Sequence, residues 1–383
     1  MRAFAVARNV AARPALSAYW LAWLATATFF AGFYALLVPL PRYLAVVGLP
    51  DWQIGLVLGA FGIASLVGRP LAGTLTDQFG AKPVMLIGAA SLGLGALGTP
   101  HTASLPLLIA LRLLQAIGYV AFTTAGTALI VSLVPPDARA SRLAVFGAAA
   151  NVAISLTPAA VSALLTVAPL DQGFLVAGAF ATIGGVLALS LPAARTDSVK
   201  RPGVTWFPGE VWLPMLVTAL LGAGFAAFFQ FAPILGDRRG VPSGVLYTIY
   251  GATIIATRVI GGRVLDRVRI NRVVAIAAVL MALGHAVLAS TDALLLVLLA
   301  PVLVATGGGL FHPALIAHHA ALLPETPGKA SAAFYVAFDL GIGLGSWLLG
   351  AMLQWAGVPG LYWSAAVLAS GALLLGPRLR ERV

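Results

Sequence analysis

Val67-Gly-Arg-Pro-Leu-Ala-Gly-Thr-Leu-Thr-Asp77 is matched further along the chain by Ala256-Thr-Arg-Val-Ile-Gly-Gly-Arg-Val-Leu-Asp266. One offset, close to half the chain length, relates Arg69 to Arg258 and Asp77 to Asp266. The same offset relates three further pairs: Gly118 and Gly307, Phe122 and Phe311, and Pro135 and Pro324. Because chance rarely produces one offset over several segments, the sequence predicts two tandem units of related structure.

The composition of the chain is that of an integral membrane protein. Of its 383 residues, 60% are hydrophobic and only 9% are charged, and the mean hydropathy is +0.99. A soluble domain carries roughly 25% charged residues. A surface this poor in charge cannot face water over most of its area, so lipid must be its main solvent.

Long apolar runs separated by turn or charge signals predict twelve membrane-spanning helices. A helix needs about 20 apolar residues to cross the hydrocarbon layer. The runs cover residues 19–47, 52–76, 83–100, 104–133, 141–167, 172–193, 210–236, 243–265, 272–290, 293–322, 330–355 and 360–377. We therefore expect an all-α membrane protein with two pseudo-symmetric six-helix bundles, residues 1–193 and 210–383, joined by a cytoplasmic linker, residues 194–209.

The net charge of +11 is explained by topology. With the N-terminus inside, nearly all Lys and Arg fall on or near the cytoplasmic side, as the positive-inside rule requires. Arg42, Arg238 and Arg239 fall outside, and Arg112 lies within a span. The sequence thus predicts that both termini are cytoplasmic, and it gives no reason to expect nucleic-acid binding. The absence of cysteine excludes disulfides and thiolate metal sites, and we expect neither a metal nor a cofactor.

Gly73-Thr-Leu-Thr-Asp77-Gln-Phe-Gly80-Ala-Lys82 resembles the signature that joins the second and third helices of the major facilitator superfamily. The resemblance implies a multi-pass transporter of the bacterial inner membrane. It further implies a conformational latch, in which Asp77 faces the start of the eleventh span and Asp266 that of the fifth. The latch candidates are Gly73, Asp77, Gly80, Lys82, Gly262, Asp266 and Arg142. The alternative is an ordinary solvated turn.

Two ionisable residues fall well inside predicted spans, where charge is costly and usually functional. Arg112 opens Arg112-Leu-Leu-Gln115-Ala-Ile-Gly118, which resembles a pattern on the fourth helix of the superfamily. Spacing of three or four places Arg112, Gln115 and Tyr119 on one helix face. Arg112 either binds an anionic group or tunes a proton site, or else it has a structural role with backbone carbonyls. Arg69 and Arg258 lie about two turns from the cytoplasmic ends of their spans, from where their side chains can snorkel to the surface.

Asp339 lies about ten residues into the eleventh span, and His312 on the tenth span is predicted to lie at a similar depth. A His–Asp couple could exchange a proton with the cavity as access alternates. The alternative is that Asp339 accepts hydrogen bonds that fix helix packing. Asp339, His312 and Arg112 are the candidates for proton coupling.

Aromatic residues concentrate on the first, seventh, eighth and eleventh spans. The resemblance implies that the first, fourth, seventh and tenth helices line a central cavity. The candidate lining residues are Phe29, Phe33, Tyr34, Arg112, Gln115, Tyr119, Phe225, Phe229, Gln230, His312 and Tyr335. An aromatic cavity with few charges favours an amphipathic or apolar solute.

The sequence and the resemblance together predict a monomeric secondary transporter whose partners are a small-molecule substrate, protons and the lipid bilayer. Proton-coupled efflux is the first hypothesis, although Thr157 precedes Pro158 where exporters of the superfamily often carry glycine. Proton-coupled uptake of a small organic metabolite is the alternative. A transporter-like membrane sensor is the hypothesis from another class. No nucleophile–base pattern or phosphate loop indicates an enzyme.

Overall fold

The computed structural model describes residues 2–135, 138–193, 207–265 and 268–379. Within these ranges the long regular elements are all α-helices, as the apolar runs predict. They are α1 (Arg2–Ala35), α2 (Pro39–Val46), α3 (Asp51–Phe79), α4 (Ala81–Gly98), α5 (Leu105–Leu133), α6 (Arg139–Leu164), α7 (Asp171–Leu189), α8 (Trp212–Arg239), α9 (Ser243–Leu265), α10 (Ile270–Ser290), α11 (Leu294–Leu322) and α12 (Pro327–Leu375).

Eleven helical segments of the described residues are long and apolar enough to cross a membrane. The first, Ser17–Val46, joins the end of α1 to α2 through a turn at residues 36–38. Pro39 is the first residue of α2, a position whose backbone N–H would have no partner within the helix, so the N–H that proline lacks is not needed there. The last segment, Lys329–Arg378, is 50 residues long and covers two of the predicted spans.

The longest of these segments contains a break within α12. An unbroken helix of its 49 residues would rise about 74 Å, whereas the hydrocarbon layer is about 30 Å thick. Gly357 has φ 65° and ψ −164°, a conformation that glycine tolerates and other residues avoid. The chain therefore kinks between residues 355 and 360, where the sequence predicts a span boundary.

Glycines bring α3 and α12 into close contact along much of their length. A Cβ atom on Gly62 would lie 2.5 Å from the carbonyl oxygen of Asp339 and 2.7 Å from Cα of Gly343. One on Gly55 would lie 2.7 Å from Cα of Gly350. A side chain at these positions would push the two backbones apart. The glycines therefore set the distance between α3 of the first half and α12 of the second.

A second contact of the same kind joins α6 to α9. The backbone N–H of Gly244 donates to Oγ of Ser162 at 2.9 Å, and Oγ of Ser155 donates to the carbonyl of Gly251 at 3.3 Å. The offset that relates Arg69 to Arg258 also relates Gly55 to Gly244 and Gly62 to Gly251. The two contacts are thus related by the sequence repeat.

Most other helix contacts stay within one half of the sequence. In the first half α4 packs on α5, α1 on α7 and α3 on α5, and in the second half α8 packs on α12 and α10 on α11. The buried core is built largely of Ala, Val, Leu and Phe side chains at these contacts. The contact of α3 with α12 and that of α6 with α9 are the main crossings between the halves.

Candidate functional site

A buried ion pair joins α3 to α12 in the interior of the helix assembly. Nη2 of Arg69 lies 2.7 Å and Nε 3.0 Å from Oδ2 of Asp339, whose side chain is 5% exposed. The Ser65 hydroxyl, one helical turn before Arg69, donates to the same oxygen. The guanidinium also lies 4.7 Å from the ring centroid of Tyr335. Arg69 therefore neutralises Asp339 and does not snorkel, which corrects the expectation from the sequence.

His312 is not the partner of Asp339, contrary to the sequence hypothesis. Its ring packs against three aromatic rings of α12, with centroids 4.9 Å from Phe334, 6.3 Å from Tyr335 and 5.4 Å from Phe338. The Arg69 guanidinium, from α3 of the first half, binds Asp339 where the sequence hypothesis placed the imidazole of His312.

Arg258 on α9 is the residue that the sequence repeat relates to Arg69. Its Nη1 donates to Oδ1 of Asn151 on α6, so this pair also links the two halves. Asn151 and Asp339 are related by nearly the same offset, one position shorter, so an amide stands where the related pair has a carboxylate. Among the described residues no carboxylate forms an ion pair with Arg258, and its buried Nε has no hydrogen-bond partner.

Arg112 lies buried on α5 between two aromatic rings. Its guanidinium is 5.8 Å from the ring centroid of Phe33 and 5.7 Å from that of Phe61, and Nη1 donates to Oε1 of Gln115 at 3.1 Å. Nε2 of Gln115 donates to the carbonyl of Gly95 on α4 at 2.9 Å. Gln115 therefore fastens α5 to α4, and it is fully buried instead of facing a cavity.

An aromatic cluster of the first half surrounds the end of the Arg112 side chain. Tyr119 lies 4.4 Å from Phe33 and 5.3 Å from Phe61 between ring centroids, and Phe33 lies 5.5 Å from Tyr34. These rings join α1, α3 and α5, and the lining of a cavity by Phe33, Tyr34 and Tyr119 stays a prediction. Phe29 stacks on Phe122 at 4.0 Å and has no exposed surface, so its place is in the core.

A corresponding cluster of the second half joins α8, α9 and α12. Phe225 stacks on Phe229 at 4.2 Å, and the Tyr250 ring lies 4.7 Å from Phe229. Phe338, next to Asp339, lies 5.3 Å from Phe225. The predicted residues Phe225 and Phe229 thus pack on each other, and Phe225 contacts α12 at the residue before Asp339.

A small void between the halves brings two predicted residues together. Arg112 and Gln230 both line it, with Phe33, Leu37 and Leu58 among its other walls. Nε2 of Gln230 donates to Oγ of Ser346 on α12 at 3.1 Å. This void is the point at which polar groups of α5 and α8 meet.

Two ion pairs that the sequence reasoning missed link the halves at the end predicted to lie outside. Arg42 on α2 binds Asp237 on α8 at 2.6 and 2.9 Å, and Arg238 binds Asp51 on α3 at 2.8 Å. These residues line a cleft of about 520 Å³. The clue in the sequence was that Arg42 and Arg238 are among the few basic residues on that side.

The latch residues are only partly described. Gly80 ends α3 with φ 87°, which suits glycine at the tight turn into α4, and Asp77, Lys82 and Gly73 lie close to it along the chain. The Arg142 guanidinium lies 5.2 Å from the ring centroid of Tyr19. Asp266 is outside the described residues, and Gly262 lies in the part of α9 whose side-chain environment is not described. The latch therefore stays a prediction.

A family model of the Major Facilitator Superfamily matches residues 22–346 and 242–382 of the chain. Among curated proteins, the uncharacterized MFS-type transporter YhhS of Escherichia coli strain K12 is 29% identical over 362 residues, covering 90% of this chain and 88% of that protein. The YhhS protein of Salmonella typhimurium is 27% identical with the same coverage.

Solved structures of transporters share the fold. The inward-open xylose transporter XylE from E. coli has a TM-score of 0.80 at 16% identity and covers 96% of this chain and 97% of its own. The nucleoside transporter NupG has a TM-score of 0.73 at 15% identity, with 94% and 98% covered. The human organic anion transporter MFSD10 has a TM-score of 0.68 at 17% identity, with 95% and 99% covered. At these identities the likeness concerns the fold alone.

Proposed function

We propose that this chain, which belongs to the major facilitator superfamily, is a secondary active transporter that works by alternating access. In this proposal it exports a small amphipathic organic solute in exchange for protons. The protein is a monomer in the bacterial inner membrane, with both termini in the cytoplasm and no enzymatic activity. Its partners are the solute, protons and the lipid bilayer.

The proposal includes twelve spans in two six-helix bundles, residues 1–193 and 210–383, joined by the linker 194–209. The kink at Gly357 supports the count of twelve, since α12 is more than twice as long as one crossing requires. The sequence repeat and the packing of helices mainly within each half support the two bundles. Alternating access is then a rocking of one bundle against the other.

The observation that carries the proposal is the ion pair of Arg69 and Asp339. It is buried, it joins helices of different halves, and its two members come from the contact that must open if the bundles part. Protonation of Asp339 removes the charge attraction, so a proton taken up there favours separation of α3 from α12. Asp339 is accordingly the leading proton site. His312 and Arg112 are secondary candidates because their surroundings hold no carboxylate partner among the described residues.

Opposite ends of the molecule hold the two sets of contacts that such a cycle needs. At the outer end, Arg42–Asp237 and Arg238–Asp51 bridge the halves. At the inner end, the proposed latch pairs Asp77 with the start of α12, and Asp266 with the start of α6 near Arg142. Exchange of one set for the other would alternate access to the cavity.

Vesicle transport tests the function and its direction together. Everted and right-side-out membrane vesicles from cells that overproduce the protein are given a pH gradient and a panel of labelled amphipathic solutes. We expect proton-driven accumulation in everted vesicles, which is the sign of efflux. Accumulation only in right-side-out vesicles supports the uptake alternative. Solute binding without any flux in either preparation supports a sensor and contradicts the proposal.

A further inference from the structure

We propose that Arg258 and Tyr250 form a binding site for the anionic group of the transported solute, and that the solute is an amphipathic organic acid bound through its carboxylate. This inference rests on the transport function proposed above and names the substrate class of the same cavity. It starts from the difference between the two arginines that the sequence repeat relates.

Arg69 and Arg258 occupy equivalent positions but have unequal partners. Arg69 has the carboxylate of Asp339, which cancels its charge, whereas Arg258 has the amide of Asn151, which does not. A charge without a counter-ion in a membrane interior is costly and is retained for a function. The repeat-related pair shows which chemical group satisfies an arginine at this position, namely a carboxylate.

Two buried hydrogen-bond donors on α9 have no acceptor in the part of the chain that the structure describes. Nε of Arg258 and Oη of Tyr250, whose side chain is 1% exposed, have no hydrogen-bond partner among the described residues. A buried donor without an acceptor has lost its hydrogen bonds to water without replacement. A carboxylate can accept hydrogen bonds from guanidinium and phenol donors, and its charge-assisted bond to guanidinium is the stronger of the two.

The charges of the interior select the sign of the solute. The charged residues described above at the contacts between the helices are three arginines, Arg69, Arg112 and Arg258, and one acidic residue, Asp339. Nε of Arg112 also has no hydrogen-bond partner among the described residues, but the Arg112 guanidinium lies against two aromatic rings and donates to Gln115. Arg258 differs from Arg112 because its repeat-related counterpart, Arg69, is paired with a carboxylate. The surplus positive charge attracts an anion and repels a cation.

The surroundings of the open donors suit the apolar part of such a molecule. Phe229 lies 4.7 Å and Phe225 6.5 Å from Tyr250 between ring centroids. An aryl or alkyl chain can pack on these rings while its carboxylate meets the guanidinium. This arrangement favours a monocarboxylate over a sugar or a nucleoside.

Binding to purified protein in detergent tests the site without requiring transport. The probes are benzoate, 3-phenylpropionate, octanoate and decanoate, each compared with its neutral primary amide, and the readout is thermal stabilisation titrated to an apparent Kd. The variants are Arg258→Gln, Tyr250→Phe and Asn151→Asp. The last supplies an internal carboxylate, as Asp339 does for Arg69, so it fills the site and is expected to fold. Arg272→Gln, which removes an exposed positive charge at the start of α10, is the matched control.

We expect the wild type to bind at least one carboxylate and to bind its amide much more weakly. Arg258→Gln and Asn151→Asp should each weaken carboxylate binding by about tenfold or more, and Tyr250→Phe by several-fold, as loss of hydrogen bonds to a charged group predicts. Arg272→Gln should bind as the wild type does. Equal binding of acid and amide, no carboxylate binding at all, or unchanged affinity in both Arg258→Gln and Asn151→Asp would overturn the proposal. Binding of this pattern without flux in vesicles would contradict the transport function and leave the site intact.

Discussion

The guanidinium of Arg69 lies 2.7 Å from the carboxylate of Asp339, and the two residues come from helices 270 positions apart in the chain. Beside this pair, the carbonyl of Asp339 faces Gly62 and the Arg69 guanidinium lies over Tyr335. The ion pair thus lies within the close contact between α3 of the first half and α12 of the second, and separation of these two helices has to break it.

Removal of the carboxylate alone should damage both stability and coupling. Asp339→Asn leaves Arg69 buried without a counter-ion, a change that costs about 3–5 kcal/mol in proteins. We expect a lower Tm in detergent and transport that no longer responds to a pH gradient. Vesicle uptake at several external pH values measures the second effect.

The double variant Arg69→Gln/Asp339→Asn separates the two roles. It removes both charges, so the Tm should return toward that of the wild type while proton dependence stays lost. A single Asp339→Asn variant that keeps full proton-driven transport would show that this carboxylate only fixes helix packing.

Widening of the α3–α12 contact should block the cycle. Gly62→Ala places a methyl group about 2.5 Å from the carbonyl oxygen of Asp339, closer than real side chains come to backbone, so the helices must move apart. We expect transport to fall by about tenfold, since about 1.4 kcal/mol of lost closure energy has that effect. Gly147→Ala on α6 is the matched control, because its Cβ would meet nothing within 4 Å. Equal loss in both variants would point to a general effect on helices instead.

Charge reversal at the outer end should open the cleft there. Asp237→Arg replaces the partner of Arg42 with a like charge, and the chain has no cysteine, so a single Ile234→Cys reports access to the cleft without background. We expect thiol labelling from outside to be several-fold faster in Asp237→Arg than in the parent. Each exposed pair contributes only about 0–1 kcal/mol, so the effect should shrink in high salt.

Exchange of the two charges between positions 42 and 237 completes that test. Arg42→Asp/Asp237→Arg should label at the parental rate. If labelling is equally slow in the single reversal and in the double swap, these ion pairs do not hold the outer end closed.

The proposed inner latch predicts a transport defect with normal membrane insertion. Asp77→Asn should lower the transport rate because it removes the charge that meets the positive N-terminal end of a neighbouring helix, an interaction worth about 0.3–1 kcal/mol. Asp171→Asn, at the start of α7, is the control acidic residue at a helix end. Immunoblots of the membrane fraction should show equal amounts of both variants, and equal rates in the two would leave Asp77 without a latch function.

The charged residues inside the spans show how far sequence reasoning reached. Asp339 and Arg112 stood out because ionisable groups in an apolar run are rare, and this local signal identified both. The prediction of His312 as the partner of Asp339 was wrong. It relied on the similar depth of the two residues along neighbouring spans, which gave no sign of Arg69. The repeat held the missing clue, because the offset from Asn151 to Asp339 differs by only one position from that between Arg69 and Arg258. Two arginines at repeat-related positions indicate that both bind a residue of the other half, which snorkelling to the surface would not require.

The sequence by itself determined that the chain is helical, spans a membrane many times and repeats after about half its length. These properties depend on hydropathy and spacing along the chain, which are local quantities. Only the tertiary structure decided that Gln115 donates a hydrogen bond to α4 and that Arg42 and Arg238 bind acidic residues of the other half. It also decided that Arg69 neutralises Asp339, whereas Arg258 binds only an amide. Those partners are set by how each helix is rotated and how closely glycines such as Gly62 and Gly251 let helices of different halves approach. That distance is a property of two distant segments together, so no single stretch of sequence contains it.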